Sequence, residues 1–105
     1  MSASAPSNPE IRSAAALRLP ADLGIEHVAA LRDELAAQLD ATPLALDAGD
    51  VSRLHAAALQ LLAAFCRERR DAGRATNWRA ASATLRDGAR VLGLGAMLDL
   101  DGVTA

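Results

Sequence analysis

The sequence has no lysine and no tyrosine, and it has a single phenylalanine (Phe65), tryptophan (Trp78) and cysteine (Cys66). A lone cysteine cannot form an intramolecular disulfide, and no pair of ligands has the spacing of a zinc site, so a reducing compartment and no metal are expected. Two aromatics and a net charge of −2 supply neither the stacking platforms nor the basic footprint of a nucleic-acid binder. No run approaches the roughly 18 apolar residues of a membrane span. Met1–Pro9 lacks the basic start and apolar stretch of a signal peptide. A soluble, cytoplasmic protein without direct membrane insertion is therefore expected. What is present is aliphatic: 105 residues, 51% hydrophobic, with 26 alanines and 17 leucines. That length fits one domain, and such a core favours closely spaced helices covering a small sheet.

The order of apolar periods predicts the elements. Residues 1–9, with two prolines and no periodicity, read as a disordered tail ahead of a single domain over 10–105. Ile11–Leu19 reads as a strand halted by Pro20, with Ile11 as a candidate opening of an earlier strand. Val28, Leu31, Leu35 and Leu39 recur at helical spacing and predict a helix over 25–40. Leu44-Ala45-Leu46, between Pro43 and the turn formers Asp47 to Asp50, predicts a buried central strand. A second helix is predicted over 55–72, with Leu59, Leu62, Phe65, Cys66 and Arg69 on one side and Gly73 as its stop. Ala75–Arg79 reads as a strand, on which Thr76 and Trp78 share one face. Ser82 then caps a helix over 82–93 that presents Leu85, Ala89 and Leu92, with Gly93 after its end. This alternation is the α/β rhythm of a small mixed sheet of four or five strands covered by three to four helices.

Candidate chemistry is sparse. Ser52 and His55, with Asp47 or Asp50, have the residue types of a nucleophile, base and orienter, but no Gly-x-Ser-x-Gly elbow surrounds Ser52. The plainer reading makes the aspartates turn residues, Ser52 a loop hydroxyl and His55 the mouth of a helix; a small Ser52/His55 hydrolase is the alternative from another class. Gly93-Leu94-Gly95 lacks a third glycine and follows a helix, so it is a helix stop and not a dinucleotide loop. Asp99-Leu100-Asp101-Gly102 lacks the first ligand and the closing glutamate of a calcium loop. Arg67, Arg69, Arg70 and Arg74 crowd a helix end, where cations oppose the dipole; they read as a solvated end, or as a patch for an acidic partner. Cys66 reads as a small core residue and His27 as an exposed helix residue.

Leu44-Ala45-Leu46-Asp47 followed by Val51-Ser52-Arg53-Leu54-His55-Ala56-Ala57-Ala58-Leu59 resembles the central signature of STAS domains, the fold of bacterial anti-sigma-factor antagonists. Leu17-Arg18-Leu19-Pro20-Ala21-Asp22-Leu23 is similar to the family's first strand and acidic turn. The resemblance covers residues 15–100. In the family, a strand ending in aspartate leads through a loop to Asp-Ser-x-Gly-Leu at the opening of a helix. Here His55 stands for the aspartate, Ala56 for the phosphorylated serine and Ala58 for the glycine, so the resemblance implies a member that cannot be phosphorylated at the regulatory position. It implies a non-enzymatic adapter without a cofactor, whose protein partner is a kinase-like anti-sigma factor, a chemotaxis component or, alternatively, the rest of a phospholipid-transport ABC system. Ser52, His55, Ala56, Ala57, Gln60 and Arg67 are the expected partner-binding residues. A helix start offers unpaired N–H groups, and three alanines there allow close backbone approach. An alanine-rich helix face is compatible with monomer and dimer alike.

Overall fold

The computed structural model of the protein describes residues 15–98 and residue 100. The tail over 1–9 and a strand opened by Ile11 lie outside the described residues. In chain order the elements are β1 (Ala15–Arg18), β2 (Asp22–Leu23), a 3-10 turn (Ile25–His27), α1 (Val28–Ala37), β3 (Leu44–Ala48) and β4 (Arg53–Leu54). They are followed by α2 (Ala56–Asp71), β5 (Thr76–Ala81), α3 (Ala83–Leu92) and α4 (Gly95–Leu98).

β3 is the centre of a parallel sheet in the order β1–β3–β5, with Leu17 beside Leu46 and Leu46 beside Trp78. Side chains alternate across a strand, so Leu44, Leu46 and Ala48 are fully buried while Ala45 and Asp47 are half-buried. With Leu46 at 0% exposure, Leu46→Ala is expected to cost about 2–5 kcal/mol. Urea denaturation measures this; a loss under about 0.5 kcal/mol would contradict a core position.

The α/β class and the five strands are as expected, but the strands form two parallel sheets and not one mixed sheet among the described residues. Pro20 explains the division. The Leu19 N–H still donates to Asp47 O at 2.8 Å, extending the β1–β3 ladder by one residue. Proline has no N–H to donate, so the ladder ends there. The chain then pairs anew, Asp22 with Arg53 and Leu23 with Leu54, in the two-residue ladder β2–β4.

α1 buries Leu31 and Leu35, with Val28 and Leu39 packed against the core, as the period predicts. It is shorter than the predicted 25–40 because its ends tighten: His27 N–H donates to Gly24 O and Gln38 N–H to Leu35 O, both three residues back. α2 buries Leu59, Leu62, Phe65 and Cys66, and ends before Gly73 at φ 80°. Ser82 Oγ accepts from Leu85 N–H at 3.1 Å at the start of α3, and Gly93 closes it at φ 70°. Leu85 and Ala89 are buried, but Leu92 is 41% exposed and does not join the core stripe assigned to it. The helix ends at this residue, which faces an open hollow shared with Leu54 and Leu59. Trp78 is half-buried, sharing its face with Thr76 as expected, and its Nε1–H donates to Leu98 O at 2.6 Å.

One member of the arginine cluster departs from the solvated helix end, for Arg67 and Arg70 are exposed and Arg74 is half-buried. Arg69 is fully buried. Its Nε donates to Thr76 Oγ1 at 2.7 Å, one terminal nitrogen to the carbonyls of Leu39 at 2.9 Å and Ala41 at 2.6 Å, and the other to Ala75 O at 2.8 Å. It thus supplies donors to carbonyls left over just past α1, with the Phe65 ring 5.7 Å away. Burial, and secondarily Arg74, pushes the guanidinium below its ordinary value, yet arginine stays charged throughout the range in which proteins fold. Arg70 donates to Met97 O, Arg74 pairs with Asp40, and Arg67 pairs with Asp71. Each of the four has its own partner.

Candidate functional site at the start of α2

The loop from β3 to α2 is fastened backbone to backbone. Ser52 and Arg53 N–H groups both donate to Ala21 O, and His55 N–H donates to Leu23 O at 2.9 Å. Asp47 Oδ1 accepts from Gly49 N–H at 3.0 Å, a turn role as the sequence suggested. Asp50 pairs with Arg18 across the sheet end. Asp22 Oδ1 accepts from Gly24 N–H at 2.9 Å, and its carboxylate pairs with Arg53 and His27.

His55 is the N-cap of α2: its Nδ1 accepts from Ala57 N–H at 2.9 Å. The Ser52 hydroxyl donates to Ala21 O at 3.4 Å. With Nδ1 accepting, the neutral imidazole carries its proton on Nε2, so the ring does not present that nitrogen as a base. Both groups of the imagined nucleophile–base pair are engaged by the local backbone.

The six sequence-predicted residues divide into two places. Ser52, His55 and Ala56 are exposed at the start of α2, with Ala57 half-buried behind them. Gln60 and Arg67 are exposed further along, lining with Ala64, Leu94 and Met97 an open groove of about 530 Å³. Arg67 lies eleven residues beyond Ala56, about 16 Å along the helix.

Beside the helix start is a feature the sequence reading missed. Ala56 lines a hollow of about 280 Å³ with Leu54, Leu59, Gly88, Val91 and Leu92. Val91 is 78% exposed and Leu92 41%, an apolar pair open to solvent. Gly88 lets α3 approach: a Cβ there would meet Leu54 Cδ2 at 3.2 Å and Leu59 Cδ2 at 3.3 Å. Val91 carried a signal, since it is apolar yet lies off the Leu85–Ala89 stripe.

Among the described residues, Asp22, Glu26 and His27 bring one donor atom each within 4.8 Å of one another. Asp22 is already held by Gly24, Arg53 and His27, so the cluster is an ion-paired turn. Among the described residues, no helix is long and apolar enough to cross a membrane.

The parallel α/β layer thus fixes a capped, small-residue helix start beside an open apolar hollow. The chain belongs to the STAS domain family: the family model described as "Mlab, STAS domain" matches residues 9–99. STAS domains are generally non-enzymatic regulatory modules that mediate protein–protein interactions, and membership supports a general interaction and regulatory role of that type. Comparisons with curated proteins and with solved structures return no match.

Proposed function

We propose that the protein is a non-enzymatic, cytoplasmic adapter that docks a protein partner on the start of α2, with Ser52, His55, Ala56 and Ala57 forming the contact and the neighbouring hollow receiving an aliphatic side chain of the partner. The observation that carries this reading is the exposed Val91–Leu92 pair beside Ala56. Exposed apolar groups around a concavity mark interaction sites. Gln60 and Arg67 extend the contact along the same helix. With alanine at position 56, docking is not switched by phosphate there, unlike the family pattern. The partner is a kinase-like anti-sigma factor or chemotaxis component, or alternatively another subunit of a phospholipid-transport ABC system.

Val91→Lys tests the surface. A cation in the last turn of a helix meets the favourable end of the dipole, so the fold is expected to hold. Affinity for the product of the neighbouring gene, whichever of these classes it encodes, is expected to fall about tenfold or more, or about 1.4 kcal/mol. Calorimetric titration beside a thermal melt reads both; unchanged affinity in a folded variant would remove the hollow from the interface.

A further inference from the structure

We propose that His55 makes the start of α2 proton-sensitive: the neutral imidazole holds the first turn of the helix, and the imidazolium releases it. The Ala57 N–H donates to His55 Nδ1 at 2.9 Å, which requires an unprotonated nitrogen. Protonation turns both ring nitrogens into donors, leaving this N–H without its side-chain acceptor. It also sets a positive charge against the positive end of a 16-residue helix. Both changes act in the same direction. The side chain is exposed, so bulk protons reach it, and Ala56, Ala57 and Ala58 offer no substitute acceptor.

The charged groups on the surrounding elements are mostly engaged elsewhere. From β2 and the turn after it come Asp22, Glu26 and His27; Asp22 is held by Gly24, Arg53 and His27, and Glu26 stands in the same group. β4 contributes Arg53 through its pair with Asp22, and α3 contributes Asp87, which is paired with Arg90. The His55 N–H remains bonded to Leu23 O whatever the state of the ring, so the loop stays moored and the loosening is confined to the first turn. Ala56 on that turn is a wall of the hollow. Control of docking by pH therefore rests on the adapter reading above, whereas the cap itself does not.

The experiment is proton–nitrogen NMR of the free full-length protein from about pH 8 to about pH 5, the range in which histidine ordinarily titrates. It follows the His55 ring nitrogens, the Ala57 amide shift and Ala57 amide exchange corrected for the intrinsic rate at each pH. Corrected exchange at Ala57 is expected to rise about tenfold as the imidazole protonates. In His55→Asn, whose amide oxygen accepts at every pH in that range, the rate is expected to stay flat; His55→Asp, ionised throughout it, is a second constitutive cap if the first variant folds poorly. His27→Asn is expected to keep the wild-type transition. A flat wild-type profile, or a transition that persists in a folded His55→Asn or His55→Asp, would overturn the proposal. All readouts are in the free protein, so failure of docking leaves this result standing, and a flat profile leaves the docking reading intact.

Discussion

Replacing Arg69 with methionine is expected to remove about 3–5 kcal/mol of stability, a large share of the roughly 5–15 kcal/mol that holds a small domain together. Methionine fills much of the same volume, so a cavity contributes little. The loss comes from the carbonyls of Leu39, Ala41 and Ala75 and the Thr76 hydroxyl, which would be left without this donor in a space from which water is excluded. Each unsatisfied buried group costs about 1–3 kcal/mol. Exchanging a whole buried ion pair for apolar residues can be harmless, but these acceptors are backbone and cannot be exchanged. Arg69→Lys is expected to recover little, because a compact ammonium cannot span acceptors arranged around a planar fork. Urea denaturation decides the matter; a loss below about 1 kcal/mol would show that water replaces the guanidinium.

The second large effect is on affinity. Ala56→Asp places a carboxylate at the first residue of α2, where the dipole favours it, so stability is expected to hold or rise by about 0.3–1 kcal/mol. Under the proposed docking, that charge is forced out of water against a surface fitted to a methyl group. Binding is expected to weaken a hundredfold or more, about 3 kcal/mol. Stability and affinity would move in opposite directions, a combination general damage to the fold does not produce. A thermal melt and a titration against the neighbouring gene product measure the two; full affinity in a folded variant would place the interface elsewhere on the molecule.

What was legible in the sequence was whatever depends on near neighbours along the chain. The helical period located α1, α2 and α3, and local punctuation at Ser82, Gly73 and Gly93 fixed three of their ends, because capping involves residues only a few positions apart. Leu44 and Leu46 showed themselves as a short apolar run between turn formers. The β2–β4 ladder was illegible: two residues have no period, and the pairing exists only because Pro20 ends one ladder and the chain must begin another. Arg69 stood on the apolar stripe with Leu62 and Phe65, a visible anomaly, but its partners lie on α1's trailing loop and at β5, which no local rule connects. At the candidate site, the helix start and its small residues could be read directly. The hollow could not, since it is made by two helices and β4 meeting, with Gly88 setting how closely.

The two ends of α2 are fastened with very different strength, and this sets where the molecule opens. Around its final turns a charged fork joins α2 to the loop after α1 and to the start of β5, so none of these can separate without exposing the others' polar groups. Its first turn packs Ala58 and Leu59 into the core but has one side-chain bond and a loop resting on a two-residue ladder as its polar ties. Local opening therefore belongs to the first turn and global unfolding to the last. The helix is anchored like a hinged arm, and the end left free to adjust is the end at which docking is proposed.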